Sequence, residues 1–449
     1  MAPWLVVCLA LCLSFWWLWR HLALPGCGTR HAGPRRAPTE GGHGAAARPG
    51  EETATRVGDC RLFCKPSALA HALVGAFRHS AELDARHWLW KGWPSLQTAV
   101  QLLWPPGRPL AISREHLQLP DGGIVALDWV GAPPGRAGAP HVLLIVPGAA
   151  GQVTRGIRQL CRLALREGCF PAVFNRRGHN GCPLTTPRLQ PFGDPADLRE
   201  AVAYVRFRHP SAPLFAVSEG SGSGLLLSYL GEHGASSGLA GAACVSPVLR
   251  ARAWFEAGTP WWHEWISLAL QRRQISRYAE ALRGAVDVDR ALGSRSLRAL
   301  EEALFCHAGS PGATWEAYWE RNEPLRDADE VAVPVLCLCS ADDPVRGPPG
   351  ATLPWELFQS SPYLFLLLSP HGGHCGFLGR RLGESWGNPV ALRFLRAVLE
   401  FLRLEEQPEE RPGRRSSALP HRRWRGTLPS AGAGPPSPES FSWHRSYTR

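Results

Sequence analysis

The amino-acid sequence predicts an α/β fold built on a largely parallel β-sheet, and three observations point to it. Continuous apolar runs recur at Ile124–Val130, Val142–Val146, Pro171–Phe174, Leu214–Val217, Ala242–Val245, Val335–Cys339 and Tyr363–Leu368. Runs of this kind suit strands buried on both faces. Segments with helical character separate them, as the crossovers of a parallel sheet require. One run, Leu214–Val217, leads through a glycine-rich turn straight into the helical Leu225–Leu230.

Each part of the chain follows in order. Within residues 1–24, Pro3–Trp19 is an uncharged apolar stretch of 17 residues. As a helix it spans roughly 26 Å, against a hydrocarbon core of about 30 Å. Trp16, Trp17 and Trp19 followed by Arg20 resemble the aromatic and basic edge of a membrane segment. The expectation is a single N-terminal anchor in the endoplasmic reticulum or another endomembrane. A cleaved secretory signal, with Gly26 and Gly28 as small residues for cleavage, is the alternative. Residues 25–58, rich in Gly, Ala, Arg and Pro, read as a flexible stalk.

Residues 59–404 carry the expected folded domain. Its first part, about 60–110, has helical spacing and the bulky Trp88, Trp90 and Trp93. After the fifth strand-like run the rhythm breaks over about 250–330. That stretch is helical in character and holds Trp254, Trp261, Trp262, Trp265, Trp315 and Trp319. Such clustering serves either packing or a lid over an apolar pocket, and the sequence leaves both open. Residues 405–449, with many Pro, Arg and Ser and no apolar period, read as a disordered basic tail.

The formal net charge of +11 belongs to the ends. Residues 1–60 carry +2 and 411–449 carry +7, leaving +2 on the 350 residues between. A nearly neutral body argues against a nucleic-acid surface, which needs clustered cations on the fold itself. The 13 cysteines include no C-x-x-C pair, so no zinc site is expected. Reduced thiols are the default reading, with a Cys60–Cys64 disulfide left open. No dinucleotide or Walker fingerprint is present, and no cofactor or metal is expected.

Four pieces carry the chemistry. Val142–Val146 runs into Pro147-Gly148-Ala149-Ala150-Gly151, where small residues leave backbone N–H groups free to face an oxyanion, Ala149 among them. Phe174-Asn175-Arg176-Arg177-Gly178 follows the next run. Leu214–Val217 enters Ser218-Glu219-Gly220-Ser221-Gly222-Ser223-Gly224, a strand–turn–helix where a nucleophile elbow belongs. Val335–Cys339 ends in Asp342-Asp343-Pro344, and His371-Gly372-Gly373-His374 follows the last run. An acid after one strand and a histidine after the next supply the orienter and base of a hydrolytic triad.

These motifs resemble the α/β-hydrolase domain-containing proteins of family 4, related to medium-chain esterases. The resemblance covers roughly Arg114 to Arg403. It rests on Pro120-Asp121-Gly122-Gly123, Leu127-Asp128-Trp129, Asn175-x-Arg177-Gly178, Leu184-Thr185-Thr186-Pro187-Arg188, Ala341-Asp342-Asp343-Pro344 and His371-Gly372-Gly373-His374-x-Gly376-Phe377. It implies an α/β-hydrolase fold with a helical lid, an N-terminal membrane segment, no cofactor, and serine-esterase or phospholipase action on acyl lipids. It puts the acid on Asp343 and the base on His374, with Asp342 and His371 as supporting neighbours.

The elbow departs from that family. Its members read G-x-S-x-G-G before an apolar helix. Aligning back from Leu225–Gly231 without a gap places Gly220 where the nucleophile belongs and Ser218 where the first glycine belongs. Ser221 is the nearest substitute nucleophile, and Ser223 a more distant one. Two classes of function follow. One is a pseudohydrolase of lipid metabolism, a scaffold or regulator at a membrane with a protein or lipid partner. The other is an active carboxylesterase or phospholipase that uses Ser221 on acyl lipids or lipid esters.

Overall fold

The computed structural model describes residues 54–78, 80–104, 107, 109–131, 141–307, 314–380 and 383–406. The expected anchor, nearly all of the expected stalk, and the tail from 407 onward lie outside them. Among the described residues no helix is long and apolar enough to cross a membrane.

The strands are β1 (Thr55–Val57), β2 (Cys60–Phe63), β3 (Ile112–Gln118), β4 (Ile124–Val130), β5 (His141–Val146), β6 (Cys169–Asn175), β7 (Leu214–Glu219), β8 (Gly241–Val245), β9 (Val335–Ser340) and β10 (Leu364–Ser369). They form one ten-stranded sheet in the order β1-β2-β10-β9-β8-β7-β5-β6-β4-β3. The central run from β10 to β6 is parallel. Antiparallel pairs finish both flanks. All seven apolar runs of the sequence are strands, displaced by a residue or two at their ends.

Three strands carry no such run. β3, ISREHLQ, ends the sheet and buries only Leu117 fully. A polar edge protects against pairing with another chain and also hides the strand from a search for apolar runs. β1 and β2 are three and four residues long, too short to show a period. They correct two expectations. β1 lies inside the segment read as stalk, and a strand precedes the helices expected from residue 60. Those helices are α1 (Ala68–Arg78) and α2 (Pro94–Leu103).

Side chains of the central strands alternate between two cores. Leu144, Val146, Ala216 and Cys244 pack against Leu198 and Val202 of α4 (Ala196–Arg208) and Leu226 and Leu230 of α5 (Ser223–His233). Leu143, Ile145, Val217 and Leu336 face Leu73 and Phe77 of α1 and Ile157 and Leu160 of α3 (Arg155–Arg166).

Between β8 and β9 the chain is helical: α6 (Ala251–Ala257), α7 (Trp261–Arg277), α8 (Ala279–Leu282), α9 (Val288–Gly293), α10 (Leu297–Phe305) and α11 (Trp315–Asn322). These helices bury a third core, where Trp315 and Trp319 meet edge to face at 5.3 Å. Trp254 lines the cavity below, whereas Trp261 and Trp265 are 81% and 68% exposed. The tryptophans thus divide between packing, roofing and surface. Beyond β9 come α12 (Pro349–Thr352), α13 (Trp355–Ser360) and α14 (Gly387–Glu406), the last packing Val390, Phe394 and Val398 into the second core.

Candidate active site

Parallel strands of one sheet end on the same edge, and ligands of such sheets bind there. The turns after β5, β7, β9 and β10 therefore bring Ala149, Gly220, Asp343 and His374 together from positions up to 225 residues apart in the sequence.

The acid–base pair is fully built. Asp343 Oδ1 accepts from the Val345 and Arg346 amides at 2.8 and 2.9 Å, which fixes the carboxylate. Its Oδ2 accepts from His374 Nδ1 at 2.9 Å. Burial raises the cost of charge on Asp343, but His374 and Arg346 outweigh it and hold the carboxyl below its ordinary range. Burial likewise opposes charge on His374, yet the Asp343 carboxylate lifts the imidazole well above its usual value.

The histidine loop is pinned from several sides. The His374 amide donates to Thr98 Oγ1 of α2 at 2.8 Å, and the Cys375 amide to Ser246 Oγ at 2.9 Å. Asp342 Oδ1 accepts from the Gly372 and Gly373 amides at 3.0 Å each, and its Oδ2 meets His371 Nδ1 at 3.2 Å.

The turn after β7 is built around Gly220. Gly220 has φ +54°, the left-handed conformation that costs any other residue about 1–3 kcal/mol. A Cβ built there would lie 3.2 Å from His374 Nε2 and 3.6 Å from Cys375 Sγ. Gly222 holds the turn against β5, since a Cβ on it would stand 2.4 Å from the Pro147 carbonyl oxygen. The side-chain direction that a nucleophile needs therefore belongs to residue 220, which has no side chain.

Ser221 is placed elsewhere. Its Oγ accepts a hydrogen bond from the Ala149 amide at 2.8 Å. Among the described residues it has no hydrogen bond to His374. The structure thus brings Ser221 to the expected oxyanion donor and not to the base. Ser223 is committed as well, donating to the Gly220 carbonyl at 2.7 Å and accepting from the Val248 amide at 3.0 Å. Ser218 stands where the first glycine of the motif belongs, and its buried Oγ has no partner among the described residues.

Several site residues gave no clear signal in the sequence. Glu219 is half-buried beside the elbow, accepting from Gln101 Nε2 at 2.5 Å and Thr154 Oγ1 at 2.7 Å. Burial raises its carboxyl pKa. His263 of α7 approaches His374 edge-on at 6.0 Å between ring centres. Burial and the neighbouring His374 push its pKa down to about 3. Thr98 comes from a helix 276 residues before the histidine it braces. Cys60 and Cys64 are both free.

The site opens into a cavity of about 170 Å³ roofed by α7, α8 and α10. Leu270, Ile275, Leu282 and Leu304 line its walls, and Gly220, His374 and Cys375 lie on its floor. Among the described residues no group of three His, Cys, Asp or Glu side chains is placed to hold a metal ion.

Comparison with known proteins places this geometry. The family described as "Serine aminopeptidase, S33" matches residues 139–365. The human protein named Protein ABHD15 is 55% identical over 401 residues, 87% of this chain and 86% of that one. Human Phospholipase ABHD3 is 29% identical over 65% of this chain and 72% of its own. Medium-chain fatty acid ethyl ester synthase/esterase 2 of Saccharomyces cerevisiae is 25% identical over 57% and 61%.

Proposed function

The chain belongs to the lipid-related α/β-hydrolase family of these relatives, and from that membership we propose that it binds acyl lipids without cleaving them. In this reading it is a pseudohydrolase acting as a scaffold or regulator in lipid metabolism. One observation carries the reading: the backbone position that should present the nucleophile to His374 is Gly220. A glycine cannot form an acyl-enzyme.

The remaining groups do not substitute for it. Ser221 would have to leave the Ala149 amide to meet His374. Misplacement of about 1 Å already costs on the order of 100-fold in such chemistry.

An apolar cavity under a helical lid supports an acyl lipid as the occupant. The names of the relatives, a phospholipase and a fatty acid ethyl ester synthase/esterase, support the same class. The apolar Pro3–Trp19 stretch supports attachment to an endomembrane.

Activity-based labelling with a fluorophosphonate tests the proposal. The wild-type protein is expected to remain unlabelled while folded, and G220S to acquire a label that H374A removes. Labelling of the wild type that is lost in both S221A and H374A would establish the active esterase and overturn the binding role.

A further inference from the structure

Two consecutive arginines follow β6, and the fold treats them in opposite ways. Arg177 is buried and fully paired. Its guanidinium donates to both oxygens of Asp197 at 2.7 Å and to Asp121 at 2.5 Å. Arg176 is 5% exposed and lines the cavity. Among the described residues it makes no ion pair, and its buried Nη2 has no hydrogen-bond partner.

A buried charge without a partner is destabilising, and proteins normally pair it or leave it in water. Arg176 does not escape by losing its proton, since burial brings it down only to about 10. The carboxyl that acts on it most strongly is Glu301 of α10, which accepts from the Tyr318 hydroxyl and forms no direct bond to Arg176. Burial pushes Glu301 up to about 7, which weakens it as a counter-charge near neutral pH.

A second donor stands nearby. Gln274 Nε2 of α7 is buried with no partner and lines the same cavity. It reaches within 3.4 Å of the place a Cβ would occupy on Gly178, two residues beyond Arg176. The walls around these donors are the leucines and Ile275 of the lid.

We infer that Arg176, assisted by Gln274, is an anion site inside the cavity, and that the occupant is a single-chain amphiphile with a carboxylate or phosphate head. The anionic head would neutralise Arg176 while the acyl chain lies against the lid helices. The inference rests on the acyl-lipid binding proposed above and adds the charge of the ligand to it.

The test measures binding of three oleoyl probes to the full-length protein in detergent at pH 7. The probes are oleate, oleoyl lysophosphatidate and the neutral monooleoylglycerol. Each is titrated against a bound fluorescent fatty acid and by the shift in melting temperature. At least one anionic probe is expected to bind about tenfold or more tightly than the neutral one. The tighter of the two identifies the head group.

R176M is expected to fold, to raise the melting temperature of the ligand-free protein, and to bring anionic affinity down to that of monooleoylglycerol. R176K, which keeps the charge, should retain part of the preference. Equal affinity of the wild type for all three probes would overturn the anion site and leave lipid binding standing. The same holds if R176M folds and keeps the full preference. Absence of binding by every probe to folded protein would remove both proposals.

Discussion

His374 Nε2 faces Gly220 across a space that one side chain would fill. A Cβ on the glycine would lie 3.2 Å from that nitrogen, close to where a nucleophile must be carried. The positive φ of Gly220, the close fit of Gly222 under Pro147 and the Asp343–His374 bond preserve the rest of a hydrolase elbow. Under the function proposed above, a side chain at residue 220 is what the site needs to regain hydrolysis.

G220S is expected to gain slow ester turnover and to lose about 1–3 kcal/mol of stability, because serine must adopt φ near +54°. Release of p-nitrophenol from an acyl ester and a denaturant melt measure the two effects. Adding S221A should raise turnover further, since it frees the Ala149 amide for the oxyanion. A double variant no faster than G220S would show that Ser221 Oγ does not obstruct that donor.

G222A tests the turn itself. Its methyl would stand 2.4 Å from a backbone oxygen that flexible side chains cannot relieve. A loss of about 1–3 kcal/mol or more is expected in chemical denaturation.

Arg177 and Arg176 should respond oppositely to loss of charge. R177M leaves Asp197 buried without its partner and is expected to cost about 3–5 kcal/mol. R176M removes an unpaired charge and should stabilise the ligand-free protein. Urea midpoints of the two variants, measured side by side, decide this.

Glu301 gives the fold a pH dependence of defined sign. Its carboxyl titrates near 7 when folded and near 4.5 in the ordinary range, with burial as the main cause. Below about pH 4.5 it is protonated in both states and carries no penalty. As pH rises through 7 the folded carboxyl must ionise in a buried place, so this contribution to stability is lost. The total is on the order of 3 kcal/mol. E301Q should flatten that part of the stability profile between pH 4.5 and 8, and an unchanged profile would locate the titration elsewhere.

The sheet and the acid–base pair were legible because both follow from short-range pattern. Apolar runs mark strands, and Asp343 and His374 lie just past two of them. The elbow register was also readable, because the helix beginning at Leu225 fixes the count back to Gly220. The orientation of Ser221 was not readable, since a serine in a tight turn can point to the base or to Ala149 with the same sequence. The contrast between Arg176 and Arg177 was hidden for a different reason. It depends on Asp121 and Asp197, which lie 56 and 20 residues from Arg177 and reach only one of the two. β3 shows no apolar run because its edge position favours polar residues.

The bond between Thr98 and the amide of His374 sets a limit on how the protein can be dissected. The stretch that matches the family, 139–365, ends before His374 and begins after α2. A fragment cut to that stretch would lose the imidazole, the hydroxyl that steadies it, and the strands that close both sides of the sheet. A unit that keeps the whole sheet and this bond therefore includes Thr55 through α14. Any displacement of α2 would therefore be felt at the floor of the cavity as well.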